Sequence, residues 1–119
     1  MAEHSIEASI ITWLEGIGYT AFATVPKDRP QQFATVDTAG GTSADMVRSE
    51  LVTVDVWAQS RDAAQRMAND IAARAAAAGR AGEISGAGRV DVNATPYWLP
   101  DTATRMPRYR MLLEAACLM

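Results

Sequence analysis

Apolar residues recur along this chain with two different periods, and each change of period marks an element. Ile6, Ile10, Trp13, Leu14 and Ile17 follow helical spacing, with Gly16 and Gly18 as a stop, so a short amphipathic helix is predicted from Ser5 to Ile17. Tyr19 to Val25, rich in aromatic and β-branched residues, reads as a strand that Pro26 ends. Pro26 to Pro30 is then a stiff polar connection, because each proline fixes its own φ and biases its predecessor towards extended geometry.

The period changes to two over Gln31 to Asp37 and again, more clearly, over Met46 to Gln59. Val52, Val54, Val56 and Ala58 form one apolar face of the second strand, while Leu51, Thr53, Asp55 and Trp57 line the other. These strands predict a hairpin with a long mobile tip running from Gly40 to Asp45. Helical spacing returns after Ser60, a good N-cap, with Ala64, Met67, Ala68, Ile71, Ala75 and Ala78 on one stripe. Asp62/Arg66 and Asp70/Arg74 stand at i,i+4 on the other side of this helix, which is predicted over Arg61 to Ala78.

Gly79 to Arg89 carries four glycines and reads as a helix cap followed by a loop. Arg89 to Ala94 alternates with Val90, Val92 and Ala94 inward. Thr95 to Pro107, with three prolines, reads as irregular. The last strand, from Arg108 to about Leu118, sets Tyr109, Met111, Leu113, Ala115 and Cys117 on one face and Arg108, Arg110, Leu112 and Glu114 on the other. The predicted order is α-β-β-β-α-β-β in a single domain over residues 1–119: an α+β fold with a mostly antiparallel twisted sheet and two helices on one face. The second sheet face is then either wet or built for another protein.

Composition removes chemistry more than it adds any. The 119 residues are 49% hydrophobic, enough for a real core, and the eleven basic and fourteen acidic side chains leave a net charge of -3. Without a basic excess, affinity driven by phosphate neutralisation is not expected. One cysteine, Cys117, excludes an internal disulfide, and one histidine, His4, leaves no Cys/His zinc set. No metal or cofactor is expected. The apolar runs are too short for a membrane span, and the charged N-terminus does not fit a signal peptide, so an intracellular protein is expected.

The Gly79 to Gly88 stretch matches neither G-x-G-x-x-G nor Gly-Lys-Ser/Thr, and it leaves a helix where a phosphate would meet the start of one. It reads as a flexible connector. Asp55, Asp91, Asp101 and Glu114 could supply acid–base chemistry only as a pair in one cleft, and no spacing brings two of them together. They read as solvated acids, His4 as a tail residue and Cys117 as a small buried hydrophobe. Trp13 fits a core helix face. Trp57 stands on the mixed strand face, and Tyr97 and Trp98 have proline and arginine neighbours typical of contact surfaces. Two readings of that loop stand side by side: it presents Trp98 to a partner, or it folds back and buries Trp98 against its own domain.

Several short patterns occur in a telling order: Val-Pro-Lys-Asp-Arg-Pro (Val25 to Pro30), Thr-Val-Asp-x-x-Gly-Gly (Thr35 to Gly41), and Val-Asp-Val-Trp-Ala-Gln-Ser-Arg (Val54 to Arg61) leading into an alanine-rich helix. Pro-Tyr-Trp-Leu-Pro-Asp (Pro96 to Asp101) and Pro-Arg-Tyr-Arg (Pro107 to Arg110) follow. Over nearly the whole chain this succession resembles the tail terminator proteins of long-tailed bacteriophages. The resemblance implies a non-enzymatic structural subunit that forms a ring, commonly a hexamer, on the head-proximal end of the tail tube. There it would stop tube polymerisation and meet the head-side connector, in the host cytoplasm during assembly and then in the virion. DNA would pass through the lumen without specific binding, which suits an acidic protein. The residues assigned to protein contacts are Arg29, Asp55, Trp57, Trp98, Asp101, Arg105, Arg108 and Arg110. The alternatives are a connector or stopper of the same particle and a small ligand-binding or enzymatic domain using a cleft beside Thr95 to Pro107.

Overall fold

Two serines start the two helices in the same way. In the computed structural model, which describes residues 5–44 and 46–118, Ser5 Oγ accepts the Ala8 N–H at 3.4 Å and Ser60 Oγ accepts the Ala63 N–H at 3.1 Å. They cap α1 (Ile6–Gly16) and α2 (Arg61–Arg80). The strands are β1 (Ala21–Phe22), β2 (Gln32–Ala44), β3 (Val47–Ala58), β4 (Ala87–Trp98) and β5 (Arg108–Leu118). They lie in the spatial order β1-β2-β3-β5-β4, and the predicted α-β-β-β-α-β-β order and α+β class hold.

Both helices pack on one face. Ile10 and Leu14 of α1 and Ala64, Ala68, Ile71 and Ala75 of α2 share a fully buried cluster with Val36, Val52, Val54, Val56, Met111, Leu113 and Ala115. Small side chains along α2 let it lie close to the sheet. At Gly79 the approach is tightest: a Cβ there would fall 2.7 Å from the Val90 nitrogen of β4. Gly79 is therefore inside the helix as a contact residue and is not its cap. The left-handed glycine that ends α2 is Gly82, at φ +73°, with the Glu83 N–H returning to the Ala78 carbonyl at 2.9 Å.

Four further expectations need correction. The sheet is mostly antiparallel as expected, but the predicted Tyr19 to Val25 strand shrinks to Ala21–Phe22, which pairs parallel with Ala34–Thr35. The expected loop from Gly40 is paired strand: Gly41 to Ala44 oppose Glu50 to Val47, and Thr38 and Gly41 flank a bulge. The two glycines serve that bulge and a close strand approach, not a loose tip. Asp45 of the expected tip, like His4, lies outside the described residues. Strand β4 continues to Trp98 despite Pro96, as the outermost strand of the sheet. That is where a missing N–H costs least. Register shifts along it turn Ala94 to stand opposite Leu112, away from the core it was expected to face.

Two side-chain contacts pin the helices to what they cover. The Glu7 carboxylate of α1 accepts the Thr38 backbone N–H at 3.1 Å and also the Thr38 hydroxyl, at the edge of the bulge. The Tyr19 hydroxyl donates to Asp70 of α2 at 2.5 Å, and Asp70 also holds Arg74 at 3.0 Å. Burial, with Asp70 beside it, pushes the Tyr19 phenol up to about 12 from 10.0. Because the folded value exceeds the unfolded one, this contribution to stability is complete below pH 10.0 and is lost as pH rises towards about 12. Tyr19→Phe is expected to cost about 1 kcal/mol at neutral pH and to flatten the alkaline end of a pH series of urea melts. Equal alkaline slopes in both proteins would contradict this role.

Candidate interaction surface

On the face away from the helices, alternation along the strands builds a second, smaller apolar centre at one end of the sheet. Phe33 pairs with Trp57 across β2 and β3, and their rings stack with centroids 5.6 Å apart and an interplanar angle of 6°. Phe22 meets Phe33 edge-on at 6.0 Å, and the Trp57 Nε1–H donates to the Thr35 hydroxyl at 3.2 Å. Stacking of this kind adds about 0.5–1.5 kcal/mol beyond area burial. The guanidinium carbons of Arg29 and Arg108 stand 5.0 and 4.9 Å from the Trp57 ring centroid. Trp57 is only 3% exposed, so this predicted contact residue is an internal anchor of the monomer.

Asp55 is equally internal. It lies opposite Arg110 in the β3–β5 register, and Arg110 donates to both carboxylate oxygens, at 2.7 and 3.0 Å. Arg108 is a weaker third member, 3.9 Å from Asp55 Oδ2. The Asp55 hydrogen bonds raise Arg110 above its ordinary value. Arg108 also donates through Nε to the Leu99 carbonyl at 2.7 Å, which ties β5 to the connection before it. A polar groove of about 470 Å³ runs beside this network, with Thr35, Asp37, Thr53 and Asp55 along its wall.

The two proline-rich connections clasp each other over the same end of the sheet. Arg29 reaches Asp101 at 3.4 Å. Asp101 is the organising residue of its loop, accepting the Ala103 N–H at 3.1 Å and the Thr104 hydroxyl at 2.6 Å, while its carbonyl takes the Arg105 N–H at 2.8 Å. The Thr104 hydroxyl, then the Ala103 amide and Arg29, hold the Asp101 carboxyl below its ordinary value. Arg105 is fixed in the left-handed region at φ 61°, exposed, and without an ion-pair partner among the described residues.

Trp98 resolves between the two readings of its loop as a compromise. It points to the helix side of β4 and packs on Tyr109 at 5.4 Å, under the Arg61 guanidinium at 4.4 Å, yet it stays 36% exposed beside Tyr97 at 41%. Arg61 also donates to the Tyr109 hydroxyl at 3.1 Å. Of the predicted contact residues, Arg29, Asp101, Arg105, Arg108 and Arg110 therefore gather with Asp55 and Trp57 at one end of the sheet, and Trp98 flanks them. Sequence reading misses Phe33, since the register that pairs it with Trp57 is invisible in the chain, and it misses the contact role of Arg61, which closes the Val54 to Arg61 pattern and begins the helix.

Of the four carboxylates considered for acid–base chemistry, Asp91 and Glu114 do become cross-strand neighbours, but Asp91 is half-exposed and bridged to Arg89 at 2.9 Å. Burial pushes the Cys117 thiol up and away from reactivity. Among the described residues there is no group of three metal-ligating side chains, and no helix is long and apolar enough to cross a membrane. No protein-family model matches this chain, and no curated protein is significantly similar to it.

Proposed function

We propose that this chain is a structural subunit of a phage particle that forms a ring, of six copies by analogy, on the head-proximal end of the tail tube. The ring stops tube growth and offers its other side to the head-side connector, with DNA passing through the lumen. It carries no catalytic role, and it moves from the host cytoplasm into the virion. One observation carries the reading: short patterns far apart in sequence meet in one place. Val25 to Pro30 supplies Arg29, Val54 to Arg61 supplies Asp55, Trp57 and Arg61, Pro96 to Asp101 supplies Trp98 and Asp101, and Pro107 to Arg110 supplies the two β5 arginines. Patterns that resemble one family only as an ordered succession thus meet at one end of the sheet, Arg29, Asp55, Trp57 and the β5 arginines on the face away from the helices and Trp98 with Arg61 on the helix side. The net charge of -3 is consistent with a lumen that does not retain DNA.

The test is polymerisation of the purified tube protein of the same particle with and without this chain. Tubes of limited length, in a dose-dependent manner, are expected. Tube lengths that do not change at any ratio would overturn the reading.

A further inference from the structure

The Arg29–Asp101 clasp leaves a cleft of about 630 Å³ between the two proline-rich connections, within the ~300–1,000 Å³ span of ligand pockets. Arg29 and Arg105 stand in its wall with Gln31, just before β2, and Gln59, just after β3, and Met106 and Pro107 add apolar surface. In a chain with a net negative charge, this is a local concentration of cationic donors. Arg29 spends one contact on Asp101, at 3.4 Å, and a guanidinium has five donors. Arg105 spends none of its side-chain donors on a carboxylate among the described residues. Its backbone, in a region that costs a long side chain of order 1–3 kcal/mol, is over-determined by the Asp101 turn.

We propose that this cleft binds a carboxylate-bearing peptide segment of a partner protein, whichever assembly the chain serves. Guanidinium forks match carboxylates in geometry and charge. The two glutamines decide between acidic ligands. Their amides carry carbonyls as well as N–H groups, and a peptide backbone can answer both, whereas a phosphodiester has acceptors only and can answer the N–H groups alone. A nucleic-acid strand would call for an aromatic stacking platform, and the cleft lining has none.

The experiment is a titration of isotope-labelled protein with a hexapeptide of leucine and glutamate, followed by amide shifts. Parallel titrations use the glutamine counterpart of the peptide, inorganic phosphate and a thymidine oligonucleotide. Saturable shifts at Gln31, Gln59 and Arg105 are expected with the glutamate peptide, weakening as salt rises. Arg105→Glu is expected to weaken binding about tenfold or more while leaving the thermal melt unchanged, since that side chain holds nothing else in place. Equal binding of the glutamine peptide, binding unaffected by Arg105→Glu, or shifts confined to other residues would overturn the proposal. Phosphate or the oligonucleotide binding as tightly as the glutamate peptide would overturn the assignment to a peptide.

Discussion

Replacing Gly79 by alanine is expected to destabilise the protein by about 2–3 kcal/mol, although alanine is the better helix former by nearly 1 kcal/mol. The reason is contact. The added methyl would stand 2.7 Å from the Val90 nitrogen and 3.0 Å from its Cβ, so β4 or α2 must move. Neither moves cheaply, because Val90 is 1% exposed and its neighbours along α2, Ala75 and Ala78, are packed on the same sheet face. Urea melts of Gly79→Ala against Gly82→Ala separate the two roles. At Gly82 open space surrounds the Cβ, and the cost is that of the left-handed φ of +73° alone, about 1 kcal/mol. A Gly79→Ala protein as stable as the parent would mean that helix and sheet are not so closely packed.

Asp55→Ala is expected to cost about 2–3 kcal/mol. Breaking a fully buried ion pair from one side costs roughly 3–5 kcal/mol, and the cost here falls at or below the bottom of that range because the Arg110 side chain is 34% exposed and its charge is partly screened by solvent. The loss leaves Arg110 and Arg108 without the carboxylate between them, and Arg108 anchors the Leu99 connection. The damage should therefore spread to the Arg29–Asp101 clasp and appear as a change in Trp57 fluorescence. A second substitution checks the cause. Asp55→Leu combined with Arg110→Met removes both charges and should recover much of the stability. If the double variant is no better than Asp55→Ala, the pair is not what holds this face together.

Much of this arrangement was legible from the chain. The helices were readable because their stripes are long and their caps are serines, and the valine face of β3 announced the core side of the sheet. The second face was harder. Phe33 and Thr35 alternate with Ala34 and Val36, so both faces of β2 are partly apolar and the period weakens there. Only the pairing of Phe33 with Trp57 makes the aromatic centre evident, and that register is a tertiary fact. The same limit explains β4. Pro96 reads as a breaker, yet on an outer strand with shifted register it is tolerated, and the strand carries Tyr97 and Trp98 to the surface. Conversely, Gly40 and Gly41 read as loop residues because glycine marks both loops and bulges, and the strand beyond them has too few apolar side chains to show itself.

The candidate surface was legible as a set of residue types and not as a place. Arginines beside prolines and tryptophans indicated contacts, but nothing in the order of residues said that Arg29 would cross to Asp101 or that Trp57 would close the monomer's own face. The structure divides the set into supports and presented groups. Asp55, Trp57 and Arg108 hold the end of the sheet together, whereas Arg105, Tyr97 and the rim of Trp98 face outward. Substitutions on the first group test folding, and those on the second test association.

Electron microscopy of long-tailed phage tail tubes, incubated with this protein and labelled at an added terminal tag, tests the proposed tube-end role most directly. The account predicts a ring at one end of each tube, the head-proximal one, with none along the tube wall. Tubes that carry no label at either end, or label spread along their length, would contradict it.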